Sequence, residues 1–139
     1  MNNMVSLESF PKIDAHFHST SYNLIYQKFA KQYNVRYVNI NTDTKIFPSM
    51  DEQEAVALMY IEHHKENFAY IASFEMDNWE SDNWYQKVFA HINQSVEKGA
   101  VGIKVWKNIG MEIIKSSDQS YLMIDDVFFD PLFKFLSEN

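Results

Sequence analysis

Short β-prone segments alternate with amphipathic helical segments four times along this chain. The strand-like segments cover residues 13–18, 35–41, 68–74 and 100–107, and apolar residues at helical spacing follow them. Most of the connections between these segments are short. Strands joined through helices in this way lie parallel in one sheet, with right-handed crossovers. The sequence therefore predicts an α/β fold built on a parallel sheet.

Polar residues mark where each helix should begin, because their side chains accept hydrogen bonds from the first free backbone N–H groups. We expect helix starts after Ser19–Ser21, at Ser49 with Glu52 at capping-box spacing, at Ser81, and at Asp130 before Pro131. The first three helices should end near Asn34, Asn67 and Gly99.

The number of strands leaves two architectures open. Four parallel strands form either a small open sheet or the first half of a TIM-type (β/α)8 barrel, which needs about 250 residues. The chain has 139 residues and stops at Ser137–Asn139, soon after the fourth helix begins. Candidate functional groups gather at the carboxyl ends of the strands, which is the catalytic face of such barrels. We therefore expect one truncated (β/α)4 half-barrel domain over residues 1–139, with a hairpin-like insertion near residues 108–126.

Two histidines close the first strand. His16 and His18 are one residue apart, so in a strand they share a face, with Asp14 behind them and Phe17 on the other face. Neighbouring neutral imidazoles at a strand end can supply adjacent ligands to one divalent metal ion. The alternative is two ordinary histidines, since the tripeptide is short.

Three further residues are candidates on the strands. Asn41 ends the second strand on a face that either belongs to a half-polar edge strand or lines a cavity. Lys104 lies between Gly102 and Trp106 on one face of the fourth strand, where it either snorkels to solvent or places a cation in a site. We predict a catalytic role for Lys104 and substrate contacts for Asn41 and Trp106.

The other three histidines are less favourable candidates. His63 and His64 are adjacent in a predicted helix, where neighbouring side chains diverge and do not chelate together. His91 falls on the flank of the third helix, where we expect a structural or exposed side chain.

Composition excludes several classes of function. The net charge of −7 argues against a nucleic-acid or anionic-membrane surface, which needs a basic face. The chain has no cysteine, so it forms neither disulfides nor thiolate zinc sites. The start, Met1–Ser6, lacks the pattern of a signal peptide, and no apolar run reaches the length of a membrane span. We expect a cytoplasmic protein.

The sequence resembles the amidohydrolase superfamily, in particular the amidohydrolase-related ("amidohydrolase 2") branch. The resemblance covers the N-terminal half of that family's barrel and is carried by residues 12–18, 99–111, 123–126 and 129–133. It implies that His16 and His18 bind a divalent metal, zinc in most members, and that Lys104 occupies the strand whose lysine bridges two metals in some members. The family's remaining ligands, on strands 5, 6 and 8, have no counterpart in this sequence. The isolated chain is therefore expected to be inactive.

The resemblance implies metal-assisted hydrolysis of a small substrate that contains a carbonyl or carboxylate group. Decarboxylases and hydratases in the same branch leave the reaction open. One rival is a TatD-like metal-dependent nuclease, which the acidic charge disfavours. The other is a non-catalytic half-barrel that self-associates through its open edges, and we expect a homo-oligomer.

Overall fold

The computed structural model describes residues 7–139. The segment Met1–Ser6, for which we predicted no signal peptide, lies outside this range. Four strands alternate with four helices. In chain order they are β1 (Lys12–Phe17), α1 (Leu24–Tyr33), β2 (Val35–Ile40), α2 (Met50–His64), β3 (Phe68–Ser73), α3 (Trp84–Glu97), β4 (Ile103–Lys104) and α4 (Asp130–Glu138). Short 3-10 helices cover Leu7–Ser9 and Val127–Phe129.

The sheet is parallel throughout and curls in the order β1-β2-β3-β4, which confirms the predicted α/β architecture. Register fixes which side chains share a face. Tyr37 is aligned with Phe68 and Ala72 with Ile103, on the side that packs against the helices. Ser73 is aligned with Lys104 on the opposite, inner side. Tyr37 therefore lies on the side of the sheet that faces the helices.

β4 is shorter than the predicted segment 100–107. Its ladder with β3 covers only Ile103–Lys104, although hydrogen bonds from Val101 N to Tyr70 O and from Ala72 N to Gly102 O extend the pairing towards the N-terminus. β3 ends at Ser73, so the residues after Lys104 have no neighbouring strand to pair with. The chain turns there, with Ile109 N donating to Trp106 O.

The starts of α2 and α4 agree with the sequence prediction, and α4 begins at Asp130 with Pro131 next. Ser49 Oγ accepts a hydrogen bond from Glu52 N, and the Glu52 carboxylate accepts one from Ser49 N, which completes the predicted capping box. The end of α3 also agrees with the prediction, since Gly99 follows it with φ of +105°.

The other two helix starts were predicted a few residues too early. Asn23, not Ser19–Ser21, caps α1, because Ser19 is buried and its hydroxyl donates to Ser21 O. α3 begins at Trp84 because Ser81 Oγ donates to the Asn83 side chain instead of capping a helix. Asp130 is the first residue of α4 rather than its N-cap, and Asp126 caps the 3-10 helix before it.

The main hydrophobic core lies outside the sheet. It joins the end of β3 to α3, α4 and the segment after β4, through Phe74, Met76, Trp84, Val88, Ile92, Ile109, Leu122, Phe129 and Leu132. In that segment Leu122 N donates to Ile113 O and Lys115 N to Ser120 O, around an antiparallel bridge between Ile114 and Tyr121. The side chain of Leu122 thus anchors the hairpin-like segment near residues 108–126 in the core. Within residues 7–139, no helix is long and apolar enough to cross a membrane.

Candidate functional site

His16 and His18 lie together at the carboxyl end of β1. Their ring centroids are 4.9 Å apart and the ring planes meet at 70°. A shift of register precedes them: Asp14 is aligned with Tyr37 but Phe17 with Asn39, so β1 carries one extra residue between these pairs. This bulge moves Asp14 to the side of Tyr37, away from the inner face that His16 and His18 share, and re-aiming a side chain in this way is a common use of bulges beside active sites.

A backbone carbonyl fixes the orientation of His18. The Nδ1 atom lies 2.9 Å from Ile40 O at the end of β2. A carbonyl oxygen only accepts hydrogen bonds, so Nδ1 carries the proton and the neutral ring keeps its lone pair on Nε2. Metal-binding histidines are held in this manner, with one nitrogen donating to a carbonyl or carboxylate and the other facing the ion.

The surroundings of His18 favour its neutral form. Burial lowers the pKa of His18, the hydrogen bond to Ile40 opposes that shift, and the nearby His16 and Lys104 lower the pKa further, while the carboxylate of Asp14 acts in the opposite sense. A neutral imidazole is the form that ligates metal. The effect on the pKa also shows that the ammonium group of Lys104 lies near the His18 ring.

Two aromatic rings flank His18. The Trp106 ring centroid lies 6.3 Å away and the Phe47 centroid 5.4 Å away. Lys107 Nζ in turn lies 5.3 Å from the centroid of Trp106. Trp106 and Lys104 were predicted for the site, whereas Phe47 was missed, because it sits in the loop before α2 where no motif marks it.

Asn41 is not brought into this group. Its side chain is only 2 % exposed, and alternation along β2 puts it on the helix side with Tyr37. Its Oδ1 atom has no hydrogen-bond partner in the described part of the chain. The position of Asn41 therefore offers no support for contact with a substrate on the inner face.

The remaining histidines serve other contacts. His64 Nε2 is 2.9 Å from the Tyr22 hydroxyl, and His63 is exposed with its ring centroid 6.3 Å from that of His64. His91 Nε2 donates to Ser73 O, which ties α3 to the end of β3. Residues 7–139 contain no group of three or more histidine, aspartate or glutamate side chains placed to hold a metal ion.

Comparison of the chain with protein-family models, with curated proteins and with solved structures finds no match.

Proposed function

We propose that this chain is the N-terminal part of a metal-dependent hydrolase of the amidohydrolase type, built as the first half of a (β/α)8 barrel. The observation that carries the proposal is the hydrogen bond from His18 Nδ1 to Ile40 O, which leaves Nε2 available beside His16. The parallel curled sheet and the location of the pair at the carboxyl end of a strand agree with the catalytic face of that architecture.

The two histidines fit a divalent metal, zinc in the first place, as two of its protein ligands. Zinc accepts imidazole nitrogens at about 2.0–2.1 Å, and catalytic zinc sites use three protein ligands. His16 and His18 supply two. When bound, the ion lowers the pKa of water and polarises a substrate carbonyl. The remaining ligands would come from outside this sequence, so we expect the chain alone to bind metal weakly and to be inactive.

Lys104 and Trp106 complete the proposed site. A half-buried cation close to His18 is suited to hold a carboxylate or polarised carbonyl oxygen of a small substrate. Trp106, beside the same histidine, supplies an apolar wall against the substrate body. The proposal includes a cytoplasmic location, with which the absence of cysteine agrees.

Zinc titration of the chain by isothermal calorimetry tests the histidine pair. We expect one weak site, and we expect its affinity to fall at least about tenfold in the His16→Ala/His18→Ala double variant. His63→Ala, which removes an exposed imidazole from α2, is the matched control and should leave the site unchanged. Equal zinc binding by the double variant and the wild type would refute the metal assignment.

A second candidate function is a non-catalytic module that associates with itself. The observation in its favour is the exposure of apolar side chains at both edges of the sheet, 67 % for Ile13 on β1 and 66 % for Val101 before β4. Open edges present unpaired backbone groups that another strand can bind. Self-association without specific metal binding would favour this function over the hydrolase.

A further inference from the structure

Ile114 and Tyr121 lie side by side in the hairpin-like segment near residues 108–126. They form an antiparallel bridge, and backbone hydrogen bonds on either side of it join the residues that precede and follow the pair. Such a non-hydrogen-bonded pair brings its two side chains close together. Leu122, the next residue, is fully buried in the core, so Tyr121 and Met123 on either side of it point outwards.

The outer face of the hairpin, formed by Met111, Ile114, Tyr121 and Met123, is apolar although it is exposed. Ile114, Tyr121 and Met123 are 48, 52 and 50 % exposed, and Met111 is exposed as well. A hairpin that buries one face in a core normally carries polar residues on the other face. Within residues 7–139, six of the 17 exposed large apolar side chains lie between Met111 and Val127. A concentration of this kind marks an interaction surface.

Carboxylates accompany this outer face along the chain. Residues 108–126 contain four carboxylates and a single lysine. That lysine, Lys115, is already paired, because its Nζ atom lies 3.2 Å from Asp126 Oδ2 and 3.8 Å from Asp118 Oδ2. Glu112 and Asp125 are exposed and form no ion pair in the described part of the chain. The hairpin therefore combines an apolar outer face with two free negative charges.

This charge decides which kind of partner fits the outer face. A second copy placed symmetrically on the hairpin would bring Glu112 and Asp125 of one chain towards the same carboxylates of the other, and like charges across an interface cost affinity. An anionic membrane surface is disfavoured for the same reason. A partner with lysine or arginine beside an apolar stripe matches both the apolar residues and the free carboxylates.

We propose that the outer face of the hairpin binds a basic amphipathic helix of a partner protein, with the apolar stripe of the helix on Ile114, Tyr121 and Met123 and its cations towards Glu112 and Asp125. Neighbouring strands lie about 4.8 Å apart and a helix with its side chains is about 10 Å wide, so a face of two strands matches one helix. Methionine suits such a surface, because its flexible thioether adapts to the side chains placed on it. The proposal goes beyond the hydrolase function and does not depend on it.

Three peptides of about 15 residues, long enough to form a helix, separate charge from shape. The first places leucines at helical spacing among lysines, the second replaces the lysines with glutamates, and the third scrambles the first. Each is titrated into the ¹⁵N-labelled chain at pH 7 and constant ionic strength, and amide shifts are followed by NMR. We expect saturable shifts in residues 111–125 with the first peptide, and none at equal concentration with the other two.

Substitutions on the outer face then test its apolar residues. Ile114→Ser/Tyr121→Ser should weaken binding of the first peptide about tenfold or more, because two central contacts are lost. Ile46→Ser removes an equally exposed apolar side chain from a loop outside the hairpin and should leave the affinity within about twofold. Met123→Gln repeats the test at one position should the double variant fail to fold, as judged by circular dichroism.

The free carboxylates are tested in the same way. Glu112→Gln/Asp125→Asn should weaken binding of the first peptide about threefold or more and should reduce its dependence on salt. Glu66→Gln/Glu97→Gln makes the same change of net charge at exposed positions outside the hairpin and should leave the affinity within about twofold.

Three outcomes would overturn the proposal. Equal binding of the scrambled peptide would reduce the effect to the attraction between a basic peptide and an acidic protein. An equal loss of affinity in Ile46→Ser and in Ile114→Ser/Tyr121→Ser would remove the role of the hairpin. Self-association of the chain that is lost in Ile114→Ser/Tyr121→Ser would assign the outer face to a second copy.

Discussion

Removal of the Lys98 ammonium should destabilise the protein, because the buried carboxylate of Glu54 then loses its counter-charge. Glu54 on α2 is 4 % exposed, and its carboxylate accepts hydrogen bonds from Lys98 Nζ and from Ser95 Oγ, both at 2.6 Å. The Tyr70 hydroxyl lies 3.4 Å from the same carboxylate and donates to Ser95 O. These contacts join α2, the end of α3 and β3.

The magnitude follows from the unequal burial of the pair. Breaking a fully buried ion pair from one side costs about 3–5 kcal/mol, and a surface pair is worth about 0–1 kcal/mol. The Lys98 side chain is 44 % exposed, so water replaces part of what Lys98→Met removes. We therefore expect a loss of about 1–2 kcal/mol in the free energy of unfolding, which corresponds to roughly 4–8 °C in Tm for a chain of this size.

The pH dependence carries a definite sign. Burial pushes the pKa of Glu54 upwards, but the hydrogen bonds from Lys98 and Ser95 outweigh it, and the pKa lies below its ordinary value. A group whose pKa is lowered by folding contributes stability above its unfolded pKa and loses it as the pH falls through the folded pKa. The cost of Lys98→Met should be full at pH 7 and should shrink below about pH 4.3, the ordinary pKa of glutamate.

Urea unfolding, which does not screen charges as guanidinium chloride does, measures the difference. Lys31→Met is the matched control, because Lys31 is exposed, sits in the last turn of α1 and forms no ion pair in the described part of the chain. Glu54→Gln/Lys98→Met should be more stable than Lys98→Met alone, since no charge then remains buried. A cost in Lys98→Met no larger than in Lys31→Met would refute the reasoning.

Two other predictions concern the backbone and the sheet edges. Gly99→Ala should cost more than about 1 kcal/mol of unfolding free energy because φ is +105°, whereas Gly102→Ala, whose added Cβ would lie 3.7 Å from Ile71, should cost less; equal costs by urea unfolding would contradict this. The chain should self-associate at micromolar concentration by light scattering, and Ile13→Lys on β1 should reduce association more than Ile46→Lys in a loop, where the side chain is 85 % exposed. A monomer of 16.4 kDa at every concentration would exclude edge pairing.

The parallel sheet could be predicted because periodicity and helix spacing are local properties of the sequence. The length of β4 could not be predicted, because β4 ends where its neighbour β3 ends, at Ser73, and no further backbone groups are there to pair with. The bulge before Phe17 was also invisible, because neither glycine nor proline marks it. That one residue places Asp14 on the face opposite to His16 and His18, although Asp14 Oδ1 still accepts a hydrogen bond from His16 N.

The candidate site was predictable only in part, for a similar reason. The spacing of His16 and His18 is written in the sequence, but the partner that orients His18 is a backbone carbonyl, which any residue at position 40 would supply. Phe47 is a second example, because it lies in a loop without a motif and reaches His18 only through the packing of the folded chain.

The carboxylate of Asp43 links the segments that follow three of the strands. Its Oδ2 atom accepts hydrogen bonds from Met76 N, after β3, and from Asn108 Nδ2, after β4, while Asp43 itself follows β2. A single acceptor atom thus sets the common origin of three loops. Residues inserted at the tips of those loops leave this origin in place, whereas a change of length between Asp43 and Ile40 would displace all three together. The loops at this edge of the sheet can therefore change in length and sequence at their tips, while the residues at their start keep one geometry.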